Sequence, residues 1–486
     1  LRIRVIDEEG RVCTLEVKTM KKLLTNTDSR RNKFNEQFNR SVRYYFNKND
    51  ITNRNNGESK VNPKGSDDPL RQADNRVSNN FHQLLVDQEA GYLATIPPSV
   101  DVEDDGLNDQ IKTTLGDNFG LRLNQLVVDA ANAGVAWAHY WVDKDGQFRY
   151  GIVPPDQITP IYSSDLDRKL LALRRTYSQL DPKTGKYYKI HEYWTDKDCT
   201  FFKSEKPDYT DLEELPGRFN VYDMTTNADL DAGNVMTHQF GRIPFIAFPK
   251  NKYQRPELYK YKGLIDVYDD VYNGFVNDVD DIQQLILVLT NYGGTDLAEF
   301  MKALKQDHAI KMDSVGTGDK SGVDKLTIDI PVEARKTLLE STKADIFVHG
   351  QGIDPTKFEA NNASGTAIKM LYSHLELKAA NTQAYFTDAL NELVRAIMRW
   401  SKASDPDGRK IGQTWSRASI HNNLEEAQTI SQVAQYSSDE AIAKANPIVE
   451  DWQQELRDRQ DDIVKHDGYA NPDALNDVDG EDDDET

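Results

Sequence analysis

The chain has 486 residues, 38% of them hydrophobic, so it is long enough for several domains with sizeable cores. Its two cysteines, Cys13 and Cys199, are far apart and match neither a disulfide framework nor the spacing of a metal site. The longest aliphatic run spans only residues 285–289, and residues 1–10 lack the apolar core of a signal peptide. We therefore expect a cytosolic chain without a membrane partner.

The formal net charge of −21 is unevenly distributed along the chain. Residues 1–75 hold 16 Lys or Arg and 11 Asp or Glu, a net of +5, which leaves −26 for the rest. Duplex DNA carries about one negative charge per 1.7 Å of axis, so an acidic surface repels it unless basic residues cluster locally. The composition therefore argues against tight DNA binding by the whole surface. It is compatible with DNA that passes along the surface without adhering.

The first third of the chain contains helical patterns interrupted by a polar loop. Residues 21–46 have apolar side chains at spacings of three and four, which predicts a helix. The loop at residues 50–70 is rich in Asn, Gly, Pro and charged residues. Residues 75–94 predict a second helix, and residues 117–133 predict a third helix closed by Gly134.

Strand patterns begin at residue 135. Two segments flank an Asp-Lys-Asp-Gly turn and predict a β-hairpin, and a second hairpin turns at Asp-Pro-Lys-Thr-Gly. The N-terminal half is therefore predicted to be a mixed α/β body. The predicted strands are residues 135–142 and 147–153, then 170–177 and 187–194, and further strands near 219–224 and 245–248.

The most informative pattern lies in residues 263–289. Apolar residues there alternate at steps of three and four, the 3.5-residue period of a helix that packs along one seam against a neighbour. The aspartates between them predict a solvated acidic face. A long helix of this kind suits a ring of subunits around a passage better than an isolated enzyme. The seam is Ile265, Tyr268, Tyr272, Phe275, Val279, Ile282, Ile286 and Leu289, and the aspartates are Asp266, Asp269, Asp270, Asp278, Asp280 and Asp281.

A compact insert follows at residues 295–330, with a short helix, strands at 309–312 and 326–330, and a glycine-rich tip. The tip does not match a phosphate-binding loop, because that motif needs Gly directly before Lys, and Asp319 stands there. A second helix at residues 332–347 completes an antiparallel two-helix stalk that carries the insert at its far end.

The remaining chain is predominantly helical. Residues 353–364 form an irregular loop before a very long helix, which begins after the N-cap Ser364 and ends near Trp400. At about 1.5 Å per residue this helix is on the order of 50 Å long. Residues 411–420 are compatible with a strand and residues 423–466 with a helical pair. The tail at residues 471–486 has eight acidic and no basic residues and is predicted to be disordered.

An enzyme is one alternative interpretation, either a metal-dependent nuclease or another hydrolase on an α/β body. A soluble coiled-coil scaffold is another, which the strand-rich region 135–250 weakens. Asp278, Asp280 and Asp281 suggest a two-metal site, but Asp280 points away from the other two and no histidine completes a cage. Trp137 and Trp141 share one face of a strand and are interpreted as core. His349, at a helix end, is interpreted as structural. We therefore expect no catalytic residues, no metal and no cofactor.

Three segments carry a resemblance to a known family: GVAWAHYWVDKDGQFRYGIVPPDQITPIYSS, LILVLTNYGGTDLAEF and VDKLTIDIPVEARKTLLESTKADIFVHGQGIDPTKFEANNASGTAIKMLYSHLELKA. In this order and spacing they resemble the portal proteins of tailed bacteriophages, in particular the siphovirus type from phages of Gram-positive bacteria. The resemblance covers roughly residues 20–465. It implies an α+β portal fold and a dodecameric ring at one capsid vertex, with a central tunnel for double-stranded DNA.

The resemblance also implies a division of the chain into parts. A mixed α/β wing carries an antiparallel two-helix stem, a small α/β clip, a long tunnel helix and a helical crown. The implied ranges are 1–261 for the wing, 262–294 for the first stem helix, 295–330 for the clip, 331–352 for the second stem helix, 353–364 for the tunnel loop, 365–420 for the long tunnel helix and its return to the wing, 421–470 for the crown and 471–486 for the acidic tail.

Site residues and partners follow from the same resemblance. The implied partners are further copies of the chain, the terminase large subunit, a head-completion adaptor, scaffolding and major capsid proteins, and double-stranded DNA contacted without sequence specificity. The DNA-facing tunnel loop matches Lys357, Phe358, Glu359, Asn361 and Asn362. The stem seam matches Ile265, Tyr272, Phe275, Val279, Ile282 and Ile286, and the clip tip matches Gly316, Gly318, Lys320 and Gly322.

Overall fold

The computed structural model describes most of the chain but not all of it. The described residues are 3–6, 12–14, 17–53, 73–143, 145–166, 168–182, 184–216, 233–282, 286–290, 322–326, 331–357, 365–418, 430–446, 449, 452 and 454–459. The predicted strands at 219–224 and 309–312 and the acidic tail at 471–486 lie outside these ranges.

Helices and antiparallel strands are mixed along the described residues, which confirms the prediction of a mixed helix-and-sheet fold. The helices are α1 Val17–Tyr45, α2 Phe81–Ala94, α3 Asp105–Leu115, α4 Phe119–Ala133, α5 Lys262–Ile282, α6 Val332–Gly350, α7 Gly365–Trp400 and α8 Asp439–Ala445. The strands are β1 Ile3–Ile6, β2 Val12–Thr14, β3 Ser99–Asp101, β4 Val135–Val142, β5 Phe148–Val153, β6 Ile158–Tyr162, β7 Leu170–Leu180, β8 Tyr187–Trp194, β9 Asp198–Ser204, β10 Glu213–Glu214, β11 Val235–Thr237, β12 Phe245–Pro249, β13 Ile286–Thr290, β14 Gly322–Leu326 and β15 Gly412–Thr414.

Two antiparallel sheets form the body. One has the order β12-β4-β5, and the other has the order β10-β9-β8-β7-β6 with β11 also paired to β9. Both predicted hairpins are confirmed, since β4 pairs with β5 and β7 pairs with β8. At the entry to β4, Gly134 has a φ of 84°, and a Cβ there would lie 2.2 Å from the Gln254 carbonyl oxygen. This close approach explains why glycine follows α4.

Strand β4 is buried on both faces and separates two clusters of the core. Ala138 and Tyr140 face a cluster that includes Leu126 of α4 and Phe386 of α7. Trp137 and the partly buried Trp141 face the other cluster, where Trp137 is 2% exposed. Because alternate strand residues point to opposite faces, a strand enclosed on both sides is predominantly apolar. The interpretation of the two tryptophans as core is confirmed.

The predicted helix at residues 263–289 is wrong at its C-terminal end. Helix α5 ends at Ile282, and Ile286 lies in β13, where its backbone pairs with Leu326 of β14. Residues 286–290 read Ile-Leu-Val-Leu-Thr, and a short continuous apolar run fits a buried strand as well as a helix. The pairing also places Gly322 inside β14, opposite Thr290, whereas the sequence predicted a strand at 326–330.

The second predicted helix also begins later than expected. Residues 73–80 are not helical, and α2 begins at Phe81 rather than at residue 75. The predictions for the later helices hold more closely. Helix α6 occupies Val332–Gly350, and α7 occupies Gly365–Trp400, close to the predicted bounds.

Candidate functional site

The base of the α5–α6 pair is built around a buried apolar junction. Ile265 is fully buried there among residues of four other elements of the same chain, so this seam residue does not face a neighbouring subunit. The sequence predicted that Ile265 packs along the seam against neighbouring stem helices, whereas it packs inside its own chain. The junction comprises Tyr44 of α1, Leu85 of α2, Leu258 and Tyr261 before α5, Ile265, and Ile346 and Phe347 of α6.

Beyond Ile265 the buried stripe of α5 is polar. Asp269, Asn273 and Asn277 recur every four residues and are each less than 5% exposed. They bind the extended segment 75–79, which runs antiparallel to the helix. The Asn79 amide donates to Asp269 Oδ1 (3.0 Å), the Val77 amide to Asn273 Oδ1 (2.7 Å) and the Asn75 amide to Asn277 Oδ1 (2.7 Å).

The prediction of a solvated acidic face on α5 is therefore wrong at Asp269. Asp269 is buried and also accepts from Asn49 Nδ2 (2.6 Å), and burial raises its pKa to about 6 despite these hydrogen bonds. Asp266 accepts from the Tyr44 hydroxyl and pairs with Lys262, while Asp278 pairs with Arg335 of α6. Asp280 remains exposed and accepts from Asn75 Nδ2 (2.6 Å).

Of the other predicted seam residues on α5, Phe275 lies near α6 and Val279 is exposed. Tyr272 and Phe275 are half-buried, and the Arg335 guanidinium lies 5.8 Å from the Phe275 ring centroid. Val279 is exposed, and the Ile282 side chain lies outside the description. Several apolar side chains of the pair are about half exposed in the described chain. They are Val267 (45% exposed), Val279 (41%), Val332 (46%), Leu338 (46%) and Val348 (55%).

The helix pair is joined to the body by a buried network of four charges. Glu89 of α2 and Glu257, just before α5, alternate with Lys250, after β12, and Lys378 of α7. All four are at most 6% exposed. Burial alone would raise the pKa of Glu257, but the charges of Lys378 and Lys250 outweigh it and hold this pKa below its usual range. Sequence reasoning missed the network, because its members are distant in sequence.

A second connection joins the end of α6 to α2. The side-chain amide of Gln88 donates to the Ile353 carbonyl (2.7 Å), and the Ile353 amide donates to Gln88 Oε1 (2.9 Å). Leu85 lies so close to Gly350 and Gly352 that a Cβ on either glycine would approach it within 2.5 Å or less. Among the predicted tunnel-loop residues, Lys357 ends the short turn Pro355–Lys357, and Phe358, Glu359, Asn361 and Asn362 lie outside the described residues.

Only some of the remaining predicted residues lie within the described part of the chain. The clip-tip residues Gly316, Gly318 and Lys320 lie outside the description, and Gly322 is the first residue of β14. His349 lies exposed in the last turn of α6. Within the described residues there is no group of three His, Cys, Asp or Glu side chains placed to hold a metal ion. No helix in the described part of the chain is long and apolar enough to cross a membrane.

Comparison with known proteins bears on the choice between the structural and the enzymatic interpretation. The family model described as phage portal protein, SPP1 Gp6-like, matches residues 27–467. The chain belongs to this family of phage portal proteins. Portal proteins are structural components of the phage head, so the family favours a structural role over the nuclease or hydrolase alternative.

Two curated relatives are similar over most of their length. The portal protein of Clostridium phage phiCD119 is 35% identical over 421 residues, which cover 84% of this chain and 88% of the relative. The portal protein of Bacillus phage SPP1 is 27% identical over 452 residues, which cover 91% of this chain and 87% of the relative. The resemblance inferred from the sequence segments is therefore confirmed.

Two solved structures show a weaker likeness. The neck of a native GTA particle, computed with C12 symmetry, has a TM-score of 0.42 and 12% identity, and the match covers 75% of this chain and 88% of that chain. The neck of an empty GTA particle, computed with C6 symmetry, has a TM-score of 0.40 with the same identity and coverage. At these scores neither likeness bears on the arrangement of this chain.

Proposed function

We propose that this chain forms a ring, with twelve copies expected, at one vertex of a phage capsid, and that double-stranded DNA passes through its centre. The observation that carries the proposal is the match to the portal family over residues 27–467. The ring is assembled in the host cytoplasm and nucleates the procapsid, where it contacts scaffolding and major capsid proteins. It docks the terminase large subunit during packaging and a head-completion adaptor afterwards, and it conducts DNA during packaging and ejection.

The parts of the ring follow the order of the chain. Residues 1–261 and α7 form the wing, α5 and α6 form the stem, residues 353–364 form the tunnel loop and residues 421–470 form the crown. Residues 295–330 form the clip, whose tip around Gly316 to Gly322 contacts the terminase and the adaptor. The bounds of α5, α6 and α7 support this division, because each helix begins and ends within the range assigned to it.

The exposed apolar residues of the stem support its packing against neighbouring copies. These residues are about half exposed in the single chain: Val267 and Val279 of α5, and Val332, Leu338 and Val348 of α6. Complete burial of such a side chain contributes about 1.5–3 kcal/mol, and covering the exposed half of each contributes a part of this, so together they favour association.

The acidic lining of the tunnel is assigned to α6 rather than to the paired aspartates of α5. Glu333 and Glu340 are seven residues apart, so they share one helix face, and both are exposed. This face is opposite the one on which Thr342 and Ile346 are buried. The exposed Lys336 lies between the two glutamates on this face, which leaves one net negative charge per copy. A ring of such charges repels the DNA phosphates over about 8–10 Å at physiological salt, so the duplex stays centred and slides.

Reversing these charges tests the lining. Rings with Glu333→Lys and Glu340→Lys should retain duplex DNA in a strongly salt-dependent manner, because lysine neutralises phosphates and releases counterions. The matched control carries Asp109→Lys and Asp117→Lys, the same charge change at exposed positions in and just after α3. Equal retention by both variants would show that this face of α6 does not line the tunnel.

Deleting residues 355–362 tests the tunnel loop. We propose that Lys357, Asn361 and Asn362 contact the DNA backbone weakly and that Phe358 anchors the loop or adds a contact. The deletion should leave ring formation intact and reduce the yield of packaged DNA in vivo. Normal packaging by the deletion variant would remove the loop from the mechanism.

A further inference from the structure

The chain leaves α6 through a tightly ordered turn. Gln351 adopts the left-handed conformation at a φ of 54°, the Gly352 amide donates to the Phe347 carbonyl (2.9 Å) and the Gln351 amide to the Val348 carbonyl (3.2 Å). This pair of hydrogen bonds is a Schellman motif. It directs the chain toward α2, where Leu85 contacts the two glycines of the turn.

Gln88 then binds the backbone of Ile353 in the manner of a neighbouring β-strand. Its amide nitrogen donates to the carbonyl and its amide oxygen accepts from the N–H of the same residue, at 2.7 and 2.9 Å. Because one planar group makes both hydrogen bonds, it fixes the position and the direction of the backbone.

The next residues are fixed from the side of α6. Asp354 Oδ1 accepts from the Thr356 amide (3.0 Å) and hydroxyl (2.7 Å), and Lys343 lies 3.2 Å from Asp354 and donates to the Thr356 hydroxyl (2.8 Å). Residues 353–356, which we call the root of the loop, are thus held by α2 at Ile353 and by α6 at Asp354 and Thr356.

Helix α2 also holds α7, which follows the connection. The Tyr92 hydroxyl donates to Glu376 (2.7 Å), Lys378 donates to the Leu85 carbonyl (3.0 Å) and Thr382 donates to Glu89 (2.6 Å). On the N-terminal side of these contacts, Met370 of α7 is 73% exposed. One helix therefore anchors the chain on both sides of the connection.

We infer that Gln88 is a positioning residue, which sets the direction in which the connection between α6 and α7 leaves the body and so places the tunnel loop. This inference rests on the proposed function, in which that loop contacts DNA. Gln88 does not itself contact DNA in this account. It acts through the backbone of Ile353.

The first experiment measures hydrogen exchange in assembled rings of the full-length chain. Gln88→Met keeps the length of the side chain and removes both hydrogen bonds, so the Ile353 amide should exchange about tenfold faster, the effect of one hydrogen bond. Gln88→Glu keeps the acceptor for that amide, so its protection should largely remain. Gln110→Met, at an exposed position of α3, is the matched control. Unchanged exchange in Gln88→Met, or equal acceleration in Gln88→Met and Gln88→Glu, would overturn the inference.

The second experiment measures packaged DNA per procapsid for the same rings beside the loop deletion. The inference predicts that Gln88→Met assembles normally but packages several-fold less DNA, in the direction of the deletion. If the deletion impairs packaging and Gln88→Met does not, the loop acts as proposed and the positioning role is wrong. If neither variant impairs packaging, the role proposed for the loop is wrong, and the inference falls with it.

Discussion

Asn273 of α5 and Val77 of the extended segment exchange two hydrogen bonds, each of 2.7 Å, between the side-chain amide and the backbone N–H and carbonyl. The neighbouring bonds at Asp269 and Asn277 use every second residue of the segment and every fourth residue of the helix. Two residues of a strand rise about 6.6 Å and four residues of a helix rise about 6.0 Å, so the two repeats nearly match. The segment is thereby fixed along α5 for two turns.

Replacing Asn273 should destabilise this attachment. Asn273→Leu leaves the Val77 N–H and carbonyl without their partner in a part-buried site, so the free energy of unfolding should fall by about 1–3 kcal/mol. Chemical denaturation of the purified chain measures the change. The control is Asn39→Leu, at an exposed position of α1, where the change should stay within about 0.5 kcal/mol. Equal effects at the two positions would contradict the attachment.

Removing one charge from the buried network should lower the free energy of unfolding more than removing two opposite charges together. Lys378→Met leaves Glu89 and Glu257 with a single cation in the protein interior, so the free energy of unfolding should fall by about 3–5 kcal/mol. Adding Glu257→Gln to Lys378→Met restores the charge balance and should recover part of that loss. Glu440→Gln, which removes the exposed pair with Lys444, should cost less than about 1 kcal/mol. A strictly additive double variant would mean that the two residues are not coupled.

A buried seam residue, Ile265, and an exposed one, Val279, should respond differently to substitution in an assembly experiment. Ile265→Asp buries an unpaired charge inside the single chain and should prevent folding. Val279→Asp changes an exposed position, so the chain should fold normally and its ring should weaken. Circular dichroism reports the folding and native mass reports the ring. Rings of Val279→Asp as stable as those of the original chain would remove this residue from the interface.

Acid should destabilise the folded chain through its buried histidines. His82 donates from Nε2 to Asn132 Oδ1 and accepts at Nδ1 from the Tyr261 hydroxyl, and burial lowers its pKa to about 3. An unfolded histidine titrates near 6.5, so between about pH 6.5 and 3 the unfolded state binds a proton that the folded state does not. The contribution of His82 to the free energy of unfolding is therefore complete above pH 6.5. Below pH 6.5 it decreases by up to about 1.4 kcal/mol for each pH unit.

Other buried groups modify the slope without reversing its sign. Burial also lowers the pKa values of His139 and His191 to about 3, which adds two protons in the same direction. Asp129 and Asp269, whose pKa values burial raises to about 6, oppose them between about pH 6 and 3.8. Denaturation at several pH values gives the slope of the free energy of unfolding against pH, which is proportional to the number of protons taken up on unfolding. In His82→Gln this number should be smaller by about one than in the original chain. The same slope in both would contradict this account of His82, and His374→Gln, at an exposed position, is the control.

Local patterns predicted much of the fold. The hairpin β4–β5 has its turn residues between two strands, and α7 has a long regular stripe, so neighbouring residues in sequence carry enough information for both. The helix prediction was wrong at residues 286–290, because a short apolar run does not distinguish a helix from a strand. The helix prediction was also wrong at residues 75–80, because their conformation is set by Asn273 and Asn277, about 200 positions away.

The site was harder to predict than the fold. The regular spacing of Asp269, Asn273 and Asn277 was visible in the sequence, and the side-chain oxygens of Asp and Asn can accept hydrogen bonds from backbone amides. Without the partner segment the same residues fit a solvated face equally well. The charge network has no sequence signal, because Glu89, Lys250, Glu257 and Lys378 meet only when three distant parts of the chain pack together.

The most direct test of the portal account is the native mass of the purified full-length chain, combined with images of the particles viewed end-on. The account predicts rings of about twelve copies with a central hole wide enough for duplex DNA. A chain that remains a monomer or dimer across a wide range of concentrations would contradict it and leave the exposed apolar residues of α5 and α6 without a partner.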